Sequence, residues 1–156
     1  MKNTVNIVFA GIGGQGVIKA SDILSESAFT AGYDIKKSEI HGMSQRGGSV
    51  SSDVRFGEKV FSPIIPPGEA DFLVVLTEDQ IEINLHHLKK CGRLISSRDI
   101  DTSKLPDPKT LNTALLGILS SSVDIPLKNW EDAIRKLLPS KSTDMNIEAF
   151  RIGRKE

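Results

Sequence analysis

The chain has 156 residues and a mass of 17.0 kDa, which is enough for one domain with a sizeable core and too little for two. Twenty basic and twenty acidic side chains give a formal net charge of zero, and there is no basic stripe of the kind that binds nucleic acid. The sequence has neither a signal-peptide layout nor an apolar run of about 18 residues, so we expect no membrane partner. Zero net charge favours an obligate partner, or a dimer when the chain is isolated.

The first forty residues predict a strand, a glycine turn, a helix and a second strand. Val5–Ala10 is short, β-branched and nearly all apolar, as expected of a buried parallel strand. Apolar residues then recur at helical spacing over Val17–Ala31, and Gly32 is placed to end that helix. A second strand is predicted over Tyr33–Ile40. This order is typical of an α/β protein.

The next segment predicts an antiparallel ribbon. Apolar residues alternate over Val50–Phe56, which favours a strand with one buried face. Gly57 and Glu58 resemble a two-residue hairpin loop, with Lys59–Ser62 as the returning strand. Three prolines at positions 63, 66 and 67 then interrupt all periodicity. We therefore expect a mixed sheet with one antiparallel hairpin.

The second half predicts two more strands and several helices. Asp71–Thr77 is the most apolar strand candidate, and Thr77 could cap a helix over Glu78–Lys90. A shorter strand is predicted over Arg93–Ser97, followed by a linker at 99–110. The last third predicts three helices, over Leu111–Ser120, Trp130–Leu138 and Thr143–Gly153.

The chain has one cysteine, Cys91, so it forms no internal disulfide. One thiol does not hold an iron–sulfur cluster, which needs about four protein ligands. A reducing, cytoplasmic location fits this composition. Cys91 lies in a predicted turn between basic residues, where a structural role is favoured over a reactive one. His86 and His87 are interpreted as solvated helix surface without a metal-ligand set.

A glycine motif stands between the first strand and the first helix. Gly11, Gly13 and Gly16 have the spacing of the dinucleotide-binding fingerprint, in the strand–turn–helix context that it requires. Glu39, at the end of the second strand, is the candidate for its acidic residue. A tight turn used for packing or for contact with a partner explains the same glycines. Both interpretations stay open at this point.

The decapeptide His41–Val50 has no hydrophobic period. Gly42, Gly47 and Gly48 permit tight turns, and Arg46 offers a rigid set of donors for a carboxylate or a phosphate. Such a loop between two strands is typical of a contact with a ligand or partner. A glycine-rich surface turn that binds nothing is the alternative.

Several segments together resemble one family, the gamma-type subunits of 2-oxoacid:ferredoxin oxidoreductases, and most of all the beta subunit of indolepyruvate:ferredoxin oxidoreductase. They are the glycine turn, the decapeptide with the preceding Glu39, Val54–Gly57, Pro63, Gly68–Asp71, Leu116–Gly117 and Asn146–Phe150. The resemblance covers almost the whole chain, and the decapeptide is its most specific part. The sequence departs from it where Leu76-Thr77-Glu78 replaces a Leu-Glu pair and where the segment from Leu94 to Asn112 is short.

The resemblance implies an enzyme subunit. In this family a 2-oxoacid, here an arylpyruvate such as indolepyruvate, is oxidatively decarboxylated to an acyl-CoA, and ferredoxin accepts the electrons. Thiamine diphosphate, Mg and 4Fe-4S clusters are expected on a large companion subunit, and no cofactor is bound firmly by this chain. The gamma-type subunit packs against that companion and is inactive alone. A free-standing nucleotide-binding oxidoreductase domain is the alternative.

The resemblance also implies which residues face the partner or a cofactor, and it assigns none of them a catalytic or metal-binding role. Arg46 would be an anion contact, or would only bind a local carboxylate such as Glu39, and His41 is favoured as a backbone cap over a general base. The residues are Gly11, Gly13, Gly14, Gln15, Gly16, Glu39, His41, Gly42, Ser44, Gln45, Arg46, Gly47 and Gly48.

For the fold we expect residues 1–156 to form one gamma-type domain of the α/β class. The predicted architecture is a three-layer α/β/α, Rossmann-like arrangement with a mixed, mainly parallel sheet. The glycine turn and the decapeptide should emerge together, at the carboxyl ends of the first two strands.

Overall fold

The computed structural model describes residues 3–42 and 48–155. The strands in these ranges are β1 Val5–Ile12, β2 Asp34–His41, β3 Ser49–Gly57, β4 Ala70–Val75 and β5 Leu88–Ser96. The helices are α1 Val17–Thr30, α2 Ile81–Asn84, α3 Leu111–Ser120, α4 Leu127–Leu137 and α5 Ser140–Arg154. No helix in the described ranges is long and apolar enough to cross a membrane.

The strands form one sheet in the order β2-β3-β1-β4-β5. β1 is parallel to β4 and β4 is parallel to β5, whereas β3 is antiparallel to both of its neighbours, β1 and β2. Only β3 opposes the common direction, so the predicted α/β fold with a mixed, mainly parallel sheet is confirmed. The carboxyl ends of β1 and β2 therefore meet the start of β3 at one edge of the sheet.

The main core lies between one face of the sheet and the helices α1, α3, α4 and α5. Ile7 and Phe9 alternate along β1 and point into it, as the period of a strand requires. Trp130 and Phe150 are fully buried, with ring centroids 5.6 Å apart. Because each such side chain contributes about 1.5–3 kcal/mol on burial, this helical face supplies most of the stability of the fold.

Helices α3 and α5 cross at an unusually short distance because each has a glycine at the crossing. A Cβ atom on Gly117 would lie 2.0 Å from the carbonyl oxygen of Phe150, and one on Gly153 would lie 1.9 Å from that of Ala114. Both close contacts would be with backbone oxygen atoms. A side chain at either position would therefore force the backbone of the neighbouring helix to move. The glycine of the Leu116–Gly117 segment is therefore explained by packing.

The opposite face of the sheet carries a thinner layer, which we call the thin face. It consists of the extended segment 58–69 and the short helical turns at 78–87 that include α2. Its small core buries Val8, Leu73 and Val75 of the sheet beneath Ile65 and Ile81. The third layer predicted from the sequence is thus present without a long helix.

Polar side chains of the sheet hold the 58–69 segment in place. The Arg55 guanidinium donates hydrogen bonds to the carbonyl oxygens of Ser62 at 3.0 Å and Ile64 at 3.2 Å. The Asp34 carboxylate accepts one from the Val60 amide at 2.8 Å. These anchors replace the backbone ladder that a strand would have used.

The predicted hairpin at Gly57 and Glu58 is therefore wrong. Lys59–Ser62 is not a strand, and the antiparallel partners of β3 are β1 and β2. The alternating pattern of Lys59–Ser62 arises because Val60 is buried while Phe61 is 86% exposed. The backbone of this segment is held by the hydrogen bond from the Val60 amide to Asp34 and not by pairing with another strand.

The helix predicted over Glu78–Lys90 is also wrong. Only Ile81–Asn84 is α-helical, and β5 already begins at Leu88, five residues before the predicted strand. Ile81 is buried in the small core, but Leu85 of the same helical stripe is 42% exposed, so the stripe is not buried along its length. Parallel pairing of β5 with β4 determines the local structure here, which is a case of tertiary contacts overriding periodicity.

The three C-terminal helices are confirmed, with earlier starts for the last two. α3 has the predicted bounds, whereas α4 and α5 begin directly after Pro126 and Pro139. Proline has a fixed φ that suits a helix start, so each proline marks the beginning of a helix. At the end of α1, Gly32 has a φ of 98°, and the amides of Gly32 and Tyr33 bond back to Phe29 and Ala28 as a Schellman motif.

Candidate functional site

The glycine turn and the ends of the decapeptide meet at one edge of the sheet, which we call the glycine edge: Gly11–Gly16, His41, Gly42 and Gly48. The Gly13 amide donates a hydrogen bond to the Gly48 carbonyl oxygen at 2.9 Å, and the Gly42 amide donates one to Ser49 at 2.6 Å. Val50 of β3 pairs with both Gly11 and His41. The expectation that the two segments emerge together is confirmed.

The turn itself requires glycine at two positions. Gly14 and Gly16 have φ values of 92° and 86°, in the left-handed region that other residues rarely adopt. Gly11 has no room for a side chain, because a Cβ atom would lie 2.8 Å from both Gln15 Oε1 and Val17 Cγ2. The spacing of the motif is therefore accounted for by the backbone alone, whether or not it binds a phosphate.

Several amides of the turn are already used within the protein. The Ile12 amide donates to Gln15 Oε1 at 2.9 Å, the Gln15 amide donates to the Ile12 carbonyl at 3.3 Å, and the Gly13 amide is used by Gly48. Within the part of the chain that the structure describes, the amides of Gly14 and Gly16 have no hydrogen-bond acceptor. These two amides are therefore candidates to donate to an oxygen of a ligand or partner.

Asn112, at the start of α3, holds the turn from the other side, and sequence reasoning did not single it out. Its Nδ2 donates to the Gly16 carbonyl at 3.2 Å, and a Cβ atom on Gly16 would lie 2.4 Å from that nitrogen. Its Oδ1 accepts from the Thr113 amide, and Thr113 Oγ1 hydrogen-bonds Asn146 of α5. A hydrogen-bond network thus connects the glycine turn to α3 and α5. The sequence feature that could have indicated this role is the pair of polar residues Asn112 and Thr113 near the start of a mostly apolar helix.

Glu39 is occupied by its neighbours on the same strand. Lys37 bonds both Glu39 and Asp22 of α1, the latter at 2.6 Å. This hydrogen bond from Lys37 holds the pKa of the Glu39 carboxyl below its usual value. Moreover, β3 lies between β1 and β2, so Glu39 is about two strand spacings, on the order of 10 Å, from the glycine turn. A ribose contact of the dinucleotide type does not fit this arrangement.

His41 is exposed at the end of β2. Its Nε2 lies 3.8 Å from Glu39 Oε1, and 63% of its side chain is accessible. No backbone hydrogen bond to its ring is present among the described residues, so the predicted capping role has no support here. Ser44, Gln45, Arg46 and Gly47 of the decapeptide lie outside the described residues.

Two grooves flank the glycine turn. The first has a volume of about 370 Å³ and lies between Gly14–Gly16 and α3, with Lys109 and Asn112 on its far wall. The second has about 210 Å³ and includes Lys19 and His41. Each groove thus combines glycine backbone with at least one basic or polar side chain, a composition suited to an oxygen-rich group.

The cysteine and the histidine pair lie away from this edge. Cys91 is exposed on β5 rather than in a turn. His87 ends a short turn instead of a long helix, and its buried Nδ1 has no hydrogen-bond partner among the described residues. Burial lowers the pKa of His87, with a smaller contribution from His86, while Asp53 acts in the opposite direction. Among residues 3–42 and 48–155 no three His, Cys, Asp or Glu side chains form a metal-binding group.

Known proteins resemble this chain in sequence and in fold. Indolepyruvate oxidoreductase subunit IorB of Thermococcus kodakarensis is 33% identical, with 95% of this chain and 93% of that protein covered. The gamma subunit of a keto/oxoacid ferredoxin oxidoreductase from Geobacter sulfurreducens has a TM-score of 0.74 and 24% identity, over 97% of this chain and 96% of that one.

A third similar protein is much longer. The 2-oxoglutarate:ferredoxin oxidoreductase of Magnetococcus marinus, solved with 2-oxoglutarate, coenzyme A and succinyl-CoA, has a TM-score of 0.86 at 18% identity. The match covers 99% of this chain but only 31% of that one. The family model described as pyruvate ferredoxin/flavodoxin oxidoreductase matches residues 6–108. The chain therefore belongs to the pyruvate ferredoxin/flavodoxin oxidoreductase family.

Proposed function

We propose that this chain is the gamma-type subunit of a 2-oxoacid:ferredoxin oxidoreductase whose substrate is an arylpyruvate such as indolepyruvate. The complex oxidatively decarboxylates the 2-oxoacid, transfers the acyl group to coenzyme A and passes the electrons to ferredoxin. The observation that carries this proposal is the 33% identity to an indolepyruvate oxidoreductase subunit over nearly the full length of both proteins. A cytoplasmic location is part of the same proposal.

We assign the cofactors to a companion subunit. The described residues do not fit an iron–sulfur cluster, since they provide one exposed cysteine and no cluster of metal-binding side chains. Thiamine diphosphate supplies the decarboxylation chemistry of such an enzyme. The chain's own contribution is then to bind the companion and to complete the surroundings of its reaction site.

The glycine edge is the part of the chain that we assign to this contribution. Gly14 and Gly16 offer two backbone donors, and Asn112 fixes their position. Arg46 of the decapeptide is proposed as a cation for an anionic group of the substrate, coenzyme or partner. Glu39, His41 and the remaining residues of the decapeptide would shape the same surface.

A free-standing nucleotide-binding domain is less well supported. It requires a carboxylate beside the glycine turn, whereas Glu39 is separated from the turn by β3 and is bonded to Lys37. If the purified chain retained NAD or FAD by absorbance, this alternative would replace the proposed function.

The proposal is tested by co-expressing the chain with a large, thiamine- and cluster-bearing subunit from the same organism. We expect a complex that contains thiamine diphosphate and iron and reduces ferredoxin with indolepyruvate and coenzyme A. Arg46→Ala should lower turnover about tenfold or more without preventing assembly, while the exposed Arg135→Ala on α4 serves as the matched control. Unchanged activity and assembly of the Arg46 variant would remove the functional role of that residue.

A further inference from the structure

Four polar side chains form a row that runs from α1 to the end of β2. Lys37 of β2 donates to Asp22 Oδ1 of α1 at 2.6 Å, and it also bonds Glu39 Oε2 on its own strand. The other carboxylate oxygen of Glu39, Oε1, lies 3.8 Å from His41 Nε2. Side chains two positions apart on a strand point to the same side, so the three residues of β2 share the side that faces α1. We call the four side chains the polar row: Asp22, Lys37, Glu39 and His41.

The polar row ends at a groove of the glycine edge. His41 lines the groove of about 210 Å³, together with Lys19 and the backbone of the glycine turn. α1 begins at Val17, directly after that turn, and β2 ends at His41, where the decapeptide begins. The bond between Lys37 and Asp22 therefore joins the two elements whose ends form the walls of the groove.

Lys37 is the centre of the row. Its ammonium bonds one carboxylate from α1 and one from β2, and only 20% of its side chain is exposed. Burial acts to lower the pKa of Lys37, but the hydrogen bonds to Asp22 and Glu39 outweigh it and the pKa is raised. Its bond also holds the pKa of the Glu39 carboxyl below its usual value. Both groups are therefore ionised at neutral pH, and their attraction fixes Glu39 beside His41.

The neighbouring Lys36 shows how this arrangement differs from an ordinary ion pair. Lys36 is 43% exposed and lies 3.5 Å from the carboxylate of Asp34. Asp34 belongs to the same strand and bonds the Val60 amide of the thin layer, so this pair lies on the other side of β2. Exposed pairs of this kind contribute little to stability. Lys37, in contrast, connects β2 to α1.

His41 is the member of the row that can contact a ligand. Its side chain is 63% exposed, and no hydrogen bond to its Nδ1 is present in the ranges 3–42 and 48–155. Among the described residues, the lining of the groove includes Lys19 and no Asp or Glu. An imidazole near a lysine, in a groove without acidic side chains, suits a carboxylate or phosphate oxygen.

We propose that Lys37 is a positioning residue, which together with Asp22 holds Glu39 and His41 at this groove so that His41 contacts an anionic group of a small-molecule substrate. The inference rests on the proposed function, which supplies the two anionic substrates, a 2-oxoacid and coenzyme A. It adds two residues, Lys37 and Asp22, that lie outside both the glycine turn and the decapeptide. Lys37 acts through its neighbours and does not itself touch the ligand.

The test measures steady-state kinetics of the complex of this chain with its companion subunit, varying indolepyruvate and coenzyme A separately. Lys37→Met keeps the aliphatic part of the side chain and removes the ammonium. We expect the KM of one of the two substrates to rise about fivefold or more while kcat changes by less than about twofold, because a binding contact is displaced and the reaction site is not. The substrate whose KM rises is the one that His41 contacts.

Two further variants separate positioning from a general loss of charge. Lys37→Arg keeps a cation between the two carboxylates and should restore the KM to within about twofold of the wild-type value. Lys36→Met, which removes the neighbouring ammonium on the other side of β2, is the matched control and should leave both KM values unchanged.

A double variant shows whether Lys37 acts through His41. His41→Ala alone should raise the same KM, and adding Lys37→Met should raise it little further, since residues that act through one contact are not additive. If the two effects instead multiply, Lys37 does not act through His41 and the proposed positioning role is overturned.

The remaining outcomes separate this inference from the proposed function. If the wild-type complex is active and Lys37→Met has the same KM values as Lys36→Met, the positioning role is overturned while the proposed function stands. If Lys37→Met lowers the yield and thermal stability of the complex but leaves both KM values unchanged, Lys37 is structural only and the inference fails. If the wild-type complex does not oxidise indolepyruvate, both proposals fail.

Discussion

The two faces of the sheet differ in how completely the chain covers them. On the helical face, Trp130 and Phe150 are fully buried and even polar side chains such as Thr113 and Asn146 find partners with each other. On the thin face, Phe61 is 86% exposed and Ile83 is 57% exposed. The helical face therefore buries its largest side chains within one chain, whereas the thin face leaves large apolar side chains in water.

This difference assigns separate roles to similar residue types. Gly117 and Gly153 serve the contact between two helices, while Gly14 and Gly16 shape a turn at the glycine edge. Substitutions on the helical face should therefore affect folding first. Substitutions at the glycine edge should affect assembly and turnover first.

The largest effect is expected from Gly117→Ala on the helical face. The added Cβ would lie 2.0 Å from the Phe150 carbonyl oxygen, and backbone must move to relieve the contact. We expect a loss of about 3 kcal/mol or more in the free energy of unfolding, measured by urea denaturation. Ser121→Ala, at the exposed end of the same helix, is the control and should change stability little. An unaffected Gly117 variant would contradict the close crossing of α3 and α5.

Arg55→Met tests the anchoring of the thin layer. The guanidinium donates to Asn6 Oδ1 and to the carbonyl oxygens of Ser62 and Ile64, and methionine keeps only the aliphatic part. We expect a loss of about 2–3 kcal/mol together with faster hydrogen exchange over residues 58–69. The exposed Lys59→Met is the control. Equal exchange in both variants would mean that Arg55 is not the anchor.

Asn112→Ala tests the link between the helices and the glycine edge. Loss of the hydrogen bond to the Gly16 carbonyl should cost about 1–2 kcal/mol of stability. In the assembled enzyme it should also lower turnover, because the Gly14 and Gly16 amides are no longer held in place. Lys109→Ala is the control, because it removes a charge from the same groove and leaves this hydrogen bond intact. Comparing the two variants distinguishes the effect of positioning the turn from the effect of charge in the groove. Normal turnover of the Asn112 variant would place the glycine turn outside the functional surface.

The smallest effect is a pH dependence from His87. Because burial lowers its pKa from the ordinary 6.5, the unfolded chain takes up this proton before the folded chain does. Stability should therefore be full above pH 6.5 and decline as the pH falls toward the lowered value in the folded state. His87→Gln should flatten this dependence in unfolding measurements between pH 7.5 and 5.5, while the exposed His86→Gln should keep most of it. Parallel curves for wild type and His87→Gln would contradict burial of this ring.

The sequence predicted those parts of the fold whose structure depends on local signals. The bounds of α3, the glycine stop at Gly32 and the meeting of the two glycine segments all follow from periodicity, turn chemistry and strand direction. The 78–90 helix failed because pairing of β5 with β4 is a long-range contact that competes with the helical stripe. The role of Asn112 depends on a neighbour 96 positions away, which a local pattern does not reveal.

The central claim is that this chain completes a 2-oxoacid:ferredoxin oxidoreductase, and its most direct test is a titration of activity. The purified companion subunit is held at fixed concentration with indolepyruvate, coenzyme A and oxidised ferredoxin, and this chain is added in steps. We predict that ferredoxin reduction is negligible with either subunit alone and rises to a plateau as the chain saturates its companion. Full activity of the companion alone, unchanged by adding the chain, would contradict the account.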